Sequence, residues 1–424
     1  MHITRYKFSE IIVENQEVHS PSYYIKKRLL KNKPAIFGLA LIILAHIIAI
    51  LGYSIMPDNT PNADDGANLI KKQVPGFKTT ILKKHKNRFV EETGFFTMMF
   101  EGRESAYTIE PVDTFYFKGD SIYYRPFQER IWESGLTLDY VDFWYSGNTH
   151  KLFADSSANH LLTKDSSIYV NAKNERIAFS KQGLNDYFVE HNIENRNYVL
   201  GTDKRGRDML SRLLFGTRIS LSIGFISVII SLFVGITLGA IGGFFGGIVD
   251  RTLMWFLTVT WSIPGIMLVI AISLALQSKG IWVAFVAVGL TMWVEVARVV
   301  RGQILSIKEK QFVEAANALG IGSWRIIFYH ILPNIVGPMI VIATSNFASA
   351  ILIESGLSFL GLGVQPPMPS WGMMVSEGYQ SNWSDGGWYL VFLPSICIST
   401  LVLAFNLLGN GLRDAYDPQT AIKW

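Results

Sequence analysis

Long apolar runs alternate with polar stretches along this chain. Residues 34–56, PAIFGLALIILAHIIAILGYSIM, form the first apolar run. A helix needs about 20 such residues to cross a bilayer, so this run predicts a membrane span. Five more runs follow, at 217–243, 252–276, 281–300, 335–353 and 388–409. Six spans place both termini on one side of a membrane. A 33-residue leader, the long apolar core and the lack of a small-x-small site before Pro57 predict a retained anchor, not a cleaved signal peptide.

Between the first two spans the pattern changes. Residues 57–199 are polar and aromatic, long enough for a small domain. DTFYFKGDSIYYR (113–125) alternates aromatic and polar positions around a glycine, which predicts a hairpin. SIYVNAKNERIAFS (167–180) predicts a second, and GLNDYFVEHN (183–192) a short helix. Residues 58–68 are expected to be a linker, and the lysine run in 71–88 a solvated face. The expectation is an inserted α+β domain that either receives a soluble delivery protein, partly covers a pore, or is a spacer. Next, VLGTDKRGRDMLSRLLFGTRISL (199–221) predicts a surface helix capped by Thr202. Its apolar face is Met209, Leu210, Leu213 and Leu214. Its polar face is Arg205, Arg207, Asp208 and Arg212.

The segment between the fourth and fifth spans is amphipathic. Phe312, Ala315, Ala316 and Leu319 recur at helical spacing, and Gly320 and Gly322 interrupt. Ser323 is placed to cap a second helix with Trp324, Ile327, Phe328 and Ile331 on its apolar side. Helices this short are marginal in water and must be held by the span ends or a partner.

Charge then orients the spans. Lys26, Lys27, Arg28, Lys31 and Lys33 flank the first, which predicts a cytoplasmic N-terminus. Arg301, Lys308, Lys310 and Arg325 then fall inside as well. Lys204, Arg205, Arg207, Arg212 and Arg218 lie on the opposite side, within a long translocated segment that largely escapes the rule. Within the spans, Gly235 and Gly239, and Ser345 and Ser349, repeat the small-xxx-small spacing of close helix packing. Pro264 and Pro394 predict kinks. The ionisable residues there are His46, Glu295, Arg298 and Glu354. Glu295 and Glu354 are pore or gate candidates by the default for such groups, although Glu295 and Arg298 also have the spacing to neutralise each other. No buried series of acids exists to relay protons, which argues against a secondary transporter. GVQPPMPSWGMMVSEGYQSNWSDGGW (363–388) is dense in Pro and Gly and is expected to be irregular, with Trp371 lining an outer gate and Trp383 and Trp388 at the interface.

Composition sharpens the contrast. Half the residues are hydrophobic (49%) and only 17% charged, against about 25% in a typical soluble domain. A net charge of +4 gives no footprint for nucleic acid. A single cysteine, Cys397, forms no internal disulfide, and the scattered His85, His150, His160 and His191 show no zinc spacing. No nucleophile stands at fixed spacing from a base, and no GxxxxGK[ST] loop occurs to cradle nucleotide phosphates. The chain is therefore expected to be non-catalytic, with no catalytic, metal or cofactor residues of its own.

Glu314-Ala315-Ala316, Gly320 and Leu332-Pro333 resemble the EAA loop of the membrane subunits of bacterial ABC importers. His330 stands where that pattern carries Ile, and Ile331 follows it. GTDKRGRDMLSRLLFGTRISL, ARVVRGQILSIKEKQFVEAANALG, ESGLSFLGLGVQPPMPSWGMMV and LAFNLLGNGLRDAYDP are similar to the second permease subunit of the dipeptide/oligopeptide/nickel group. The similarity covers roughly 20–56 and 199–418 and leaves 57–198 as an insertion without a carried-over role.

The resemblance implies an α-helical integral membrane protein of six transmembrane helices with a cytoplasmic coupling-helix loop, to which the polar stretch between helices 1 and 2 is expected to add an inserted extracytoplasmic α+β domain. Its expected parts are a cytoplasmic segment 1–33, helix 34–56, the inserted domain 57–199, a permease core 200–409 and a cytoplasmic tail 410–424. It implies a pore subunit in the bacterial inner membrane that imports short peptides or a similar solute such as nickel. The implied partners are a homologous permease subunit, two ATPase subunits that bind the ATP, and an extracytoplasmic substrate-binding protein. Glu314 would be the charged contact with an ATPase, Ala315 and Ala316 the close approach, and Gly320 the turn. A membrane sensor with an extracytoplasmic ligand domain is the competing reading; six spans without a cytoplasmic signalling domain argue against it.

Overall fold

The computed structural model describes residues 20–86, 90, 93–118, 121–128, 161–162, 166–170, 176–278, 280–381 and 386–417. Trp383 and the two hairpin turns expected at 119–120 and 171–175 lie outside these residues.

Helix α1 (Pro21–Lys31) leads into α2 (Lys33–Ile55), the first long apolar helix. Asn32 ends one and caps the other: its side-chain oxygen accepts from the Ala35 amide at 3.1 Å. A polar stretch then builds two sheets. The first holds β1 (Phe77–His85), β2 (Tyr107–Lys118), β3 (Ser121–Pro126) and, at its far edge, β7 (Ile193–Tyr198), in the order β3-β2-β1-β7 with antiparallel pairing. Helix α3 (Phe95–Glu101) lies between β1 and β2. The second sheet is β4 (Leu161–Leu162), β5 (Ser166–Val170) and β6 (Arg176–Ser180), followed by α4 (Lys181–Asn192). Both predicted hairpins and the predicted helix are present. Two expectations change. The lysine run is only partly a solvated face: Lys71 and Lys78 are exposed, but 77–85 form strand β1, with Ile81 and Leu82 buried and Lys83 and Lys84 paired to Glu194 and Glu110. Nor is 58–68 a linker, since Asp58, Ala63 and Ala67 are buried.

Six further long or paired elements form the helical body. They are α5 (Met209–Phe245), the pair α6 (Gly247–Ser262) and α7 (Gly265–Ala275), α8 (Ile281–Lys308), α11 (Val336–Phe359) and α13 (Tyr389–Tyr416). Between α8 and α11 lie the short α9 (Gln311–Ala318) and α10 (Ser323–Ile326). Between α11 and α13 lies α12 (Trp371–Tyr379).

Helices α5 and α8 run parallel. A Cβ at Gly235 would lie 2.5 Å from Val296, one at Gly239 2.5 Å from the Ala297 carbonyl, and one at Gly243 3.1 Å from Ile304. The glycine stripe lets the two backbones meet, as its small-xxx-small spacing predicts. Parallel neighbours joined in sequence require a return crossing between them. The pair α6 and α7 supplies it, bent by 94° at Pro264. Pro264 thus breaks the third span outright, where a kink was expected. Pro394 leaves α13 continuous in its second turn. Among the described residues five helices are long and apolar enough to cross a membrane, and six if the bent pair counts as one span. The first and last helices meet at one end, where the Arg28 guanidinium donates to the Ala415 and Asp417 carbonyls, each at 3.3 Å.

Candidate functional site

Two places concentrate polar chemistry. The first is the end of the helical body that carries α9. The Lys310 carbonyl accepts the first bonds of α9, from the Val313 and Glu314 amides. The helix stops at Gly320, which takes φ +74°. The Gly320 amide donates to the Asn317 carbonyl (3.0 Å) and the Ile321 amide to the Ala316 carbonyl (3.1 Å). This paired closure needs a left-handed residue, and glycine adopts that backbone without a Cβ penalty.

Val313 and Ala316 are the buried face of α9, in one cluster with Ile304, Ile326, Ile327, Ile331 and Ile335. Full burial of a Val or Ile side chain contributes roughly 1.5–3 kcal/mol, which anchors a helix too short to stand alone. Phe312, Ala315 and Leu319 are exposed, Leu319 by 80%, whereas Ala316, expected beside Ala315 at the close approach, is buried. Ser323 makes no cap; Gly322 occupies that position. A π turn over Ile327–Ile331 follows and keeps Ile327 and Ile331 inward while Trp324, Phe328 and Tyr329 face out, Tyr329 by 75%. His330 is only half-buried and Ile331 fully buried, so the buried apolar group sits one residue after the Ile of the importer pattern. Glu314 is exposed and has no ion-pair partner among the described residues. Leu332 and Pro333 form a 3-10 turn into α11.

Pro333 and Glu295 line one groove of about 910 Å³, together with Val299, Ser345, Asn346 and Arg413. Glu295 is exposed into it and is not spent on Arg298, whose guanidinium stacks on Trp261 at 3.3 Å from the ring centre. Asn346, missed from the sequence, is buried there with an amide nitrogen lacking a hydrogen-bond partner among the described residues. An amide in an apolar span looks like ordinary packing until its neighbours are known.

Two pore candidates go elsewhere. Glu354 is fully buried in the chain and accepts from Ser358 Oγ at 2.7 Å, so it lines no open path. Trp371 is also enclosed: its indole Nε1 donates to the Leu213 carbonyl at 3.0 Å, and its ring fills the space a Gly216 side chain would need. It fastens α12 to α5 and does not line a gate. The segment expected to be irregular is helical from Trp371 to Tyr379, capped by Ser370.

The second place is the start of α5. The surface helix expected there is absent; α5 is one helix from Met209, capped by Asp208, whose carboxylate accepts from the Ser211 amide at 2.7 Å. Thr202 instead donates to the Ile70 carbonyl and accepts from the Gln73 amide. Arg207 and Arg212, expected on a wet face, are buried. Arg207 bonds Asp203 (2.7 Å), Asp64 (2.7 Å) and Glu377 (3.4 Å); Arg212 reaches Glu377 (3.3 Å) and Asp203 (3.4 Å). Burial alone would lower the Arg207 pKa, but Asp203, Asp64 and Glu377 hold it above the ordinary guanidinium value. Gly206, at φ +76°, is forced by a backbone approach in which a Cβ would sit 1.9 Å from the Ala67 carbonyl. Close by, burial pushes the Asp58 carboxyl up to about 6 against hydrogen bonds from Thr60, and burial also raises Asp65 and Asp208.

Residues 235–422 match the family described as binding-protein-dependent transport system inner membrane component, and residues 20–73 match the N-terminal TM domain of oligopeptide transport permease C. The chain is 41% identical over 251 residues to the glutathione transport system permease protein GsiD of Pectobacterium atrosepticum, covering 57% of this chain and 82% of that protein. It is 41% identical over 232 residues to the dipeptide transport system permease protein DppC of Bacillus subtilis, covering 54% and 72%. It is 43% identical over 222 residues to the oligopeptide transport system permease protein OppC of Haemophilus influenzae, covering 52% and 70%. The chain belongs to the ABC importer permease family. This permease is a multi-pass inner-membrane component, and the resemblance to the C-type subunits of that group is borne out. The two matched regions bracket residues 74–234.

Proposed function

We propose that this permease forms half of the translocation path for short peptides or a similar small solute, and that α9 with the turn after it is the seat of a separate ATPase subunit. The observation that carries this is the exposed rim of Glu314, Ala315, Leu319, Trp324 and Phe328 around Gly320, held on a buried base of Val313 and Ile331. An apolar and acidic knuckle fixed to the ends of α8 and α11 is built to be pushed. Leu332 and Pro333 join it to α11, and Pro333 shares its groove with Glu295, so a displacement there reaches the helices around the path. A homologous permease would close the other half, two ATPases would supply the stroke, and an extracytoplasmic binding protein would deliver the solute.

The distribution of charge supports one orientation. Lys26, Lys27, Lys31 and Lys33 lie at the α9 end of the helices, whereas Arg207 and Arg212 at the opposite end are neutralised by carboxylates. This favours a reading in which the α9 end, with the first and last helices' shared end, faces the cytoplasm and the sheets face outward.

Uptake of a labelled dipeptide in a strain lacking this permease tests the reading. Glu314→Lys reverses the knuckle's charge, and Gly320→Trp places a bulky side chain on a left-handed turn. Both variants are expected to insert normally and to abolish uptake; wild-type uptake in both would refute the seat.

A further inference from the structure

The stretch GFFTMMF (94–100) is not part of either sheet's core. It forms α3, none of whose residues is buried, and Phe95, Phe96 and Phe100 are 61%, 76% and 64% exposed. Three bare phenylalanines on seven residues form the kind of apolar patch that marks a membrane or partner contact.

The level at which α3 is held says which. Arg218 of α5 reaches across to it: Nη1 donates to the Phe100 carbonyl (3.0 Å) and Nη2 to the Met99 carbonyl (2.9 Å). The same guanidinium donates through Nε to the Ala49 carbonyl of α2 at 2.9 Å. Its face also stacks near the Phe100 and Tyr53 rings. One cation thus ties the last carbonyls of α3 to the C-terminal third of an apolar span. Ala49 lies six residues before Ile55, so at 1.5 Å per residue the tie sits about 9 Å inside the helix end. Gly102 closes α3 at φ +83° against the Tyr53 ring and the Asn59 carbonyl, which fixes the return of the chain to the sheet. The lipid-facing side chains of α2 at this level, Ile47 and Ile50, are exposed too. The phenylalanines extend that surface.

We propose that α3 is an interfacial anchor: the polar insertion dips back to the bilayer and buries Phe95, Phe96 and Phe100 among acyl chains of the leaflet at the C-terminal end of α2. Short helices with such faces lie in the headgroup–acyl boundary. The inference needs only that α2 crosses the membrane, and stands apart from the ATPase seat.

The full chain, with Cys397→Ser removing its one cysteine, takes a nitroxide at position 95, 96 or 100 in nanodiscs of phosphatidylethanolamine and phosphatidylglycerol. Collisional relaxation by oxygen is compared with that by a water-soluble nickel chelate. Labels at Ile47 and Tyr116 report lipid and water. The expected result at all three positions is the Ile47 sign, oxygen over nickel. The Tyr116 sign, or exclusion of both relaxants as under a protein partner, overturns the proposal. The unsubstituted chain gives a second reading: a diazirine on a lipid acyl chain should form adducts on the tryptic peptide that ends at Arg103, and an adduct-free peptide likewise overturns it.

Discussion

Gly320 and Gly322 are two residues apart, exposed, and nothing lies within 4 Å of a Cβ built on either. Only their backbones differ. Gly320 has φ +74° and Gly322 φ −62°. Left-handed backbone costs a residue with a Cβ roughly 1–2 kcal/mol. Gly320→Ala should therefore loosen the closure of α9 and lower peptide uptake, while Gly322→Ala leaves uptake unchanged. Equal uptake by the two would show that the turn's shape is not used. Such residues were legible beforehand because turn chemistry is a local property. Trp371 was not, because the carbonyl that holds it belongs to Leu213, 158 residues away. Glu354 misled for a related reason: its partner Ser358 is near, but its enclosure depends on distant segments.

At the scale of elements, apolar runs located nearly every long helix, and the errors fell at the ends. Charge before 217 read as a wet helix because Arg and Asp on adjacent turns carry that pattern on any amphipathic surface. In the fold the same residues are drawn inward, since Glu377 of α12 and Asp64 bring opposite charge from far along the chain. Helix α5 can then begin at Met209 instead of near 217. A buried ion cluster holds only while its charges balance. Glu377→Gln leaves Arg207, Arg212 and Lys204 short of a carboxylate, and breaking such a pair costs about 3–5 kcal/mol. The variant should unfold at a clearly lower temperature in detergent, with α12 and the start of α5 the first segments to exchange amide hydrogens. Wild-type melting and exchange would mean that the cluster is ornamental to stability. The bend at Pro264 was half legible: a proline predicts a lost hydrogen bond, but the 94° turn reflects packing that no local pattern encodes.

At the scale of the molecule, a body of long apolar helices and the shared end of its first and last helices were legible from apolar run lengths, whereas the seam between the sheets and the helices was not. That seam is built from residues 58–73 and 201–208 against α12 and α13, where the Tyr389 hydroxyl lies 2.8 Å and 2.7 Å from the Gln73 and Thr202 carbonyls. It is also where carboxyls are buried, which makes its strength depend on pH. Burial pushes Asp58 up to about 6, and raises Asp65 and Asp208 in the same direction. A free aspartate in the unfolded chain titrates near about 3.9. Between those two values the folded chain holds a proton that the unfolded chain has released, so stability falls as pH rises through the window. Above about 6 the cost of the buried charge is fully present, and on acidification it is relieved. For Asp58 the span of two pH units corresponds to roughly 3 kcal/mol at about 1.4 kcal/mol per unit. Thermal unfolding followed by tryptophan fluorescence in detergent should therefore show a higher midpoint at pH 5 than at pH 7.5. Asp58→Asn keeps an acceptor for Thr60 but carries no charge, so it should shrink that difference. A midpoint that is flat or lower at pH 5 in the unsubstituted chain would show that these carboxyls are not desolvated at the seam.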